Sequence, residues 1–425
     1  MSEHYTRQTA AVKQALAAAG LDQELVPEPA ALEVHNRLLQ AVAERIRQAG
    51  GIISFAEFMH AVLYMPGHGY YVSGARKFGE GGDFVTAPEI SPLFGQCIAN
   101  QAIQVLQALD EPAQAQHEEP LILEFGPGTG ALCVAVLKHL EQHDRLPASY
   151  LLMEVSPELQ QRQQQRIARE IPHLQSKVRW LTRLPERFDG MVIANEVLDA
   201  MAVERFRIDA GQVQQLCVKT AASESGRPDT IQFDWSRRPA PAELEEQVRK
   251  LEARLQTRFA HGYTSEINFW VGPWIEDLAQ RLGRGLLLII DYGYAAQEYY
   301  HPQRSTGTLK CHYRHRAHQD PFLLAGLQDI TSDVDFTRVA SAAVDAGLSV
   351  AGFTPQAQFL LGCGLEALID PGLLNDPVAF AKLSQQVKWL TLPGEMGERF
   401  KVLALSKAMT QDLVGFSVLN LVHRL

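Results

Sequence analysis

Residues 121–137 read Leu121-Ile122-Leu123-Glu124-Phe125-Gly126-Pro127-Gly128-Thr129-Gly130-Ala131-Leu132-Cys133-Val134-Ala135-Val136-Leu137. A short run with the texture of a buried strand meets a glycine-rich turn, and a helical pattern follows from Thr129 to about Gln142. Glycine is needed at such a turn for steric reasons. The backbone must bend sharply, and a ligand must approach the main chain without meeting a β-carbon. Strand, turn and helix in that order predict a ligand-binding βα unit rather than a turn that binds nothing.

The same texture continues outward. Residues 150–155, 177–181, 190–194 and 285–291 read as further strands, the last the most hydrophobic of all, and 157–170 reads as a Gln/Arg-rich helix with Pro157 in its first turn. Continuous apolar strands separated by helices imply a parallel sheet covered on both faces. Residues 348–353 and 400–405 are expected to complete it, with a helical insertion at about 355–390. The predicted fold is therefore α/β and Rossmann-like, with a mostly parallel sheet, an N-terminal helical region and α/β insertions. Upstream, residues 1 to about 60 read as helical, with a break at Gly50-Gly51, and 64–91 as a glycine-rich loop or lid. Residues 206–235 read as an antiparallel insertion and 240–259 as a charged helix. The expected segments are 1–95, 96–205, 206–265, 266–354, 355–395 and 396–425.

Composition narrows the function classes. The chain has 425 residues, is 46% apolar and 21% charged, and carries a net charge of −10, which argues against a dedicated nucleic-acid binder. Its five cysteines, at 97, 133, 217, 311 and 363, form no Cys-x-x-Cys pair, so neither a disulfide framework nor a zinc site is indicated. The N-terminus lacks the apolar core of a signal peptide, and the apolar runs fall far short of the roughly 20 residues a membrane span needs. A cytoplasmic protein without membrane insertion is expected. Oligomeric state is not legible.

The glycine turn suits two cofactors. As Gly126-x-Gly128-x-x-Ala131 it matches the looser dinucleotide fingerprint; as acidic-x-Gly-x-Gly-x-Gly, Glu124 to Gly130, it matches the first motif of Rossmann-like methyltransferases. Glu124 sits inside a strand end, where a carboxylate is costly to bury without a partner. A cationic amino-acid moiety would supply one, whereas a pyrophosphate would be repelled. Glu154 ends the next strand and can accept two hydrogen bonds from a ribose diol, which either cofactor offers. Asn195-Glu196 ends another strand on the same carboxyl edge, where ligands of open α/β sheets bind, and offers acceptors to an amine or guanidinium. An acidic pocket also favours a sulfonium. These features tilt the choice toward S-adenosyl-L-methionine as cofactor.

With these motifs in place, the chain resembles the MidA-type methyltransferase family over roughly residues 53–406. The segment Gly82-Asp83-Phe84-Val85-Thr86-Ala87-Pro88-Glu89-Ile90-Ser91, with Phe94-Gly95 after it, is similar to the family's signature before the first strand. Glu124 to Gly130 and Glu154-Val155-Ser156-Pro157 resemble its donor motifs. Asn195-Glu196-Val197-Leu198-Asp199-Ala200 resembles its Asn-Glu-x-x-Asp-Ala element. Asp291-Tyr292-Gly293, Gly307-Thr308-Leu309 and residues 329–336 complete the set. Ala202 departs from it, standing where the family has proline. The resemblance implies transfer of a methyl group to an arginine of a protein partner, as mitochondrial members do in assembling respiratory complex I. With no mitochondrial presequence, a bacterial relative is expected.

Candidate donor-binding residues are then Glu124, Gly126, Pro127, Gly128, Gly130, Glu154, Ser156 and Asn195. Glu196 and Asp199 are the candidate catalytic pair: at the start of a helix, a spacing of three would put both carboxylates on one side. Their plainer alternative is capping and salt bridging. Asp83, Thr86, Pro88, Glu89, Asp291 and His315 are the substrate-side or lid candidates, with loop-internal hydrogen bonding the alternative for Thr86. Metal binding by the run His312 to His318 is disfavoured, because no carboxylate or cysteine pattern sets a geometry. A small-molecule methyltransferase and a donor-binding assembly factor without turnover remain as competing functions. An NAD oxidoreductase remains too, without a recognisable hydride-transfer acid or base.

Overall fold

The computed structural model describes residues 3–72, 86–110, 119–221 and 231–425. The chain divides into two compact units, each discontinuous in sequence. One comprises Val85–Asp199, Val271–Ala296 and Val334–Leu425; the other comprises Met1–Phe84, Ala200–Trp270 and Gln297–Asp333. The expected linear segments are thus regrouped, because each unit is closed by strands that lie far apart along the chain.

The first unit is built on seven strands: β1 (Leu121–Phe125), β2 (Tyr150–Met153), β3 (Val178–Leu181), β4 (Phe188–Asn195), β5 (Leu282–Tyr294), β6 (Ser349–Pro355) and β7 (Phe400–Lys407). Their order is β3-β2-β1-β4-β5-β7-β6, with Val334–Asp335 pairing beside the end of β5. β1 to β5 are mutually parallel, while β7 runs antiparallel to both β5 and β6. Side chains alternate between faces along a strand, so continuous apolar runs are stable only when both faces are covered. On one face Ile122, Leu152, Ile193, Leu288 and Val402 join a core with helices Pro92–Asp110 and Ala131–Gln142. Helices Val271–Arg281 and Phe336–Asp345 pack against β5 from the remaining side of the sequence's alternation, burying Ile275, Leu278, Val339 and Ala343.

The order in which strands are added reverses after β3. The strand after it, β4, lies on the far side of β1, which makes the β1–β4 boundary the topological switch point where such sheets bind ligands.

The other unit holds helices Glu3–Ala18, Pro29–Gln48 and Phe55–Tyr64 and an antiparallel sheet. Gln212–Thr220 pairs with Glu204–Asp209, Ile52–Ser54 and Phe233–Pro239, as the half-polar pattern of 206–235 predicts. The strand Ile52–Ser54 interrupts the stretch expected to be wholly helical. Its end is marked by a reciprocal cap in which Ser54 Oγ accepts from Glu57 N–H and the Glu57 carboxylate accepts from Ser54 N–H. Ala202, at the position expected to be proline, is buried in this unit's core with Val203 and Phe58. The 312–318 run lies in a hairpin of Lys310–Tyr313 and Arg316–His318.

Leu288 is fully buried in the middle of β5. Leu288→Ala is expected to lower the unfolding free energy by about 2–5 kcal/mol, measured by urea denaturation.

Candidate functional site

Three chain segments meet at the carboxyl edge around the switch point. The first is the glycine turn after β1. Gly126, Gly128 and Gly130 adopt φ of +59°, +54° and +82°, a left-handed region that disfavours a β-carbon. Gly126 N–H donates to Met153 O, and Gly130 N–H to Pro127 O, at 3.1 and 2.8 Å; Pro127 is buried. The turn keeps its shape through these bonds, and it leads directly into the helix Ala131–Gln142.

Glu124 lies at the end of β1 but not in the open. Its carboxyl is buried and accepts a 2.6 Å hydrogen bond from the Tyr150 hydroxyl. The partner expected for it therefore comes from the protein itself. Burial pushes its pKa up to about 7; the Tyr150 bond opposes the rise and the nearby Glu154 carboxylate adds to it.

The second segment follows β2. Glu154 Oε1 accepts from Ser156 N–H at 2.8 Å, and Oε2 accepts from Gln163 Nε2 at 3.0 Å. Ser156 is fully buried and its hydroxyl caps the helix Pro157–Glu170. Its hydroxyl oxygen thereby accepts from Leu159 N–H at 3.4 Å. Beside them Val155 is 64% exposed, an apolar surface next to an acidic one. Gln163 also donates to Gly128 O at 2.8 Å and accepts from Trp180 Nε1 at 2.7 Å, which joins the first two segments.

The third segment is the exit from β4. Residues 196–201 form bends and a turn rather than the expected helix start. Asp291, buried near the end of β5, holds this turn. Its Oδ2 accepts from Val197, Leu198 and Asp199 N–H at 3.2, 2.9 and 3.2 Å, and its Oδ1 from Tyr292 N–H at 2.9 Å. One carboxyl thus supplies acceptors for three consecutive N–H groups that no backbone carbonyl among the described residues serves. Asp291 is thereby a strap for this turn. Glu196 is left in a left-handed conformation, φ +53°, half-buried, with Oε1 accepting from Asn195 Nδ2 at 3.1 Å. Asn195 Oδ1 is buried without a hydrogen-bond partner among the described residues. Burial, then the Glu196 carboxylate, push the Asp291 carboxyl up to about 8, against the pull of the backbone donors.

Of the lid candidates, Asp83 lies outside the described residues. Thr86 and Pro88 open the short helix Ala87–Ile90, where the Thr86 carbonyl accepts from Glu89 and Ile90 N–H. Glu89 bonds the Thr129 hydroxyl of the glycine turn and is ion-paired with Arg166 at 2.8 Å, so this segment is fastened to the donor turn. The Arg166 partners hold the Glu89 carboxyl below its ordinary value despite the opposing effect of burial. His315 belongs to the other unit, exposed at the tip of the 310–318 hairpin, where Arg314 and His315 have φ of +46° and +61°.

Sequence reasoning missed Gln163 and Arg166. A signal for the first existed: the buried stripe of its helix is Leu159, Gln163 and Ile167, a polar residue in an apolar row. Arg166 carried none, since its partner Glu89 is 77 residues away.

A seven-stranded sheet with an antiparallel β7, a cradle of left-handed glycines and an acidic residue after β2 define the Rossmann-like methyltransferase class. The donor set fits S-adenosylmethionine. The turn leaves main chain uncovered, Glu154 and Val155 offer acceptors beside an apolar surface, and Asn195 Oδ1 is a buried acceptor awaiting a donor. Residues 97–354 match the family model described as S-adenosyl-L-methionine-dependent methyltransferase. The chain is 30% identical to the mitochondrial protein arginine methyltransferase NDUFAF7 homolog of Drosophila melanogaster, over 87% of this chain and 85% of that one. It is 28% identical to the Homo sapiens protein arginine methyltransferase NDUFAF7, over 87% and 83%. A Burkholderia thailandensis protein crystallised bound to S-adenosyl-homocysteine superposes with a TM-score of 0.85 at 38% identity, covering 94% of this chain and 99% of that one. The chain belongs to this S-adenosylmethionine-dependent methyltransferase family, the MidA type.

Glu124 and Asp291 both titrate above their ordinary values in the folded chain. Between about pH 4 and 8 these two groups therefore bind more protons in the folded state than in the unfolded state, and their contribution to stability falls as pH rises through that window. Glu124→Gln keeps an oxygen for Tyr150 but removes one of the two titrations. Its urea midpoint is expected to drop less than that of the wild type between pH 5 and 8.

Proposed function

We propose that this methyltransferase acts on the guanidinium of an arginine in a protein partner, and that Glu196 grips and deprotonates it. The observation carrying this reading is the acidic turn after β4, in which Glu196 and Asp199 stand on either side of backbone strapped to Asp291. The relatives named protein arginine methyltransferases support the same acceptor.

When bound, S-adenosylmethionine supplies a methyl group on a cationic sulfur, open to in-line displacement. An arginine side chain is protonated below about pH 12, so this chain has to orient it and take up a proton as the new C–N bond forms. Glu196, with Asp199 beside it, provides carboxylate acceptors for the guanidinium N–H groups. Asn195 Oδ1 is a further acceptor, and Asn195 Nδ2 steadies the Glu196 carboxylate. Asp291 acts by holding the turn rather than by touching the acceptor. On the donor side, Glu154 would accept from the ribose hydroxyls, Val155 would offer its apolar surface to the adenine, and the main chain of the Gly126–Gly130 turn would serve the amino-acid portion. Glu124, buried behind the turn and bonded to Tyr150, would act on that portion through the turn rather than by direct contact. Thr86, Pro88 and Glu89 form a wall beside Thr129. All five cysteines are free and buried, which suits a reducing compartment such as the cytoplasm.

Transfer of labelled methyl from S-adenosylmethionine to arginine-containing peptides and cell lysate tests the reading. Glu196→Gln is expected to bind donor within about twofold of wild type in calorimetry while losing methyl transfer by about 10²–10⁴-fold. Undiminished transfer removes Glu196 from the catalytic role. Label recovered only in small molecules overturns the protein acceptor. Glu154→Ala is expected to weaken donor binding by about 10–100-fold, the loss of charge-assisted hydrogen bonds to a diol.

A further inference from the structure

We propose that Gln163 is a positioning residue for the methyl donor: it holds the Glu154 carboxylate in the orientation from which a ribose diol can be read. The inference rests on the assignment of Glu154 to the ribose and adds the element that makes that carboxylate selective.

Gln163 is fully buried, with 0% of its surface exposed, on the same stripe of its helix as Leu159 and Ile167. A primary amide in such a place is destabilising unless its hydrogen-bonding groups find partners. Here the assignment of its two ends is forced. Indole N–H is a donor only, so the 2.7 Å contact with Trp180 Nε1 identifies Oε1. The opposite end, Nε2, then faces two acceptors, Gly128 O at 2.8 Å and Glu154 Oε2 at 3.0 Å, and its two N–H groups serve both. Nothing is left over, and a flipped amide would set oxygen against oxygen twice.

The consequence falls on Glu154. Its Oε2 is held by Gln163 and its Oε1 by Ser156 N–H at 2.8 Å. With each oxygen tethered from the protein side, the plane of the carboxylate is set, and each oxygen retains acceptor capacity for a ligand. Two vicinal hydroxyls can then be met without an ordering cost at the time of binding. Through Gly128 O the same amide also fixes the glycine turn relative to Glu154, so the groups for the two halves of the donor are set by one side chain. The packing leaves little slack: a β-carbon at Gly130 would lie 3.4 Å from Gln163 Cγ.

Calorimetry with S-adenosylhomocysteine and its 2′-deoxyribose analogue tests this on the full chain. The wild type is expected to prefer the ribose form by about 10–100-fold, the range for hydrogen bonds to a charged group. Gln163→Met, similar in volume but without donors, is expected to shrink that preference below about threefold while changing affinity for the deoxy analogue little. Trp180→Phe keeps an aromatic ring but removes the indole N–H, which frees the Gln163 amide to turn, and an intermediate preference is expected even if Gln163→Met fails to fold. A variant that keeps the wild-type preference, or that loses affinity for both ligands equally, overturns the positioning role. No preference in the wild type removes the ribose assignment of Glu154 itself, and the proposal with it.

Discussion

Buried acids must be given hydrogen-bond donors, and at the carboxyl edge of this sheet that requirement shapes the backbone. Asp291 is the clearest case. Four main-chain N–H groups converge on one carboxyl, three of them from consecutive residues, which ties the chain leaving β4 to the end of β5. The chain turns there, with Glu196 left-handed at the corner. The conformation is unfavourable for a residue with a β-carbon, and it persists because the strap determines it.

The other acids at this edge obey the same rule with different donors. Glu124 is met by a tyrosine hydroxyl, Glu154 by a backbone amide and a glutamine, Glu89 by Arg166. Of these arrangements, the last neutralises its acid with a cation. Each carboxyl also spends part of its acceptor capacity on the protein, which turns flexible side chains into oriented ones. Such a site binds by geometry already present rather than by rearrangement.

Most of the strands and helices of the donor unit were legible in the sequence. The pattern of 121–142 locates β1 and its helix, and the helix 157–170 matches its proline start and its end. These segments are legible because both strand faces and one helical face are buried, which leaves an unmistakable apolar period. The turn Asn195–Asp199 was legible as acidic and near a ligand, but not in its conformation. A helix was the natural expectation from local spacing, and the turn found instead is held by Asp291, 92 residues beyond Asp199. Ser156 was a fair candidate for contact on residue type alone, yet its hydroxyl is used by its own helix.

By itself the sequence determined the α/β class, the position of the glycine turn, the acid after β2 and the acidic exit from β4. Each depends on contacts among near neighbours or on a steric rule that holds for any chain. Only the tertiary structure decided which donor each of these acids meets. Tyr150 against Glu124, Gln163 against Gly128 and Glu154, and Arg166 against Glu89 and Thr129 are pairings made across the fold. A hydrogen bond is directional and short, so it exists only once packing has brought its partners within about 3 Å.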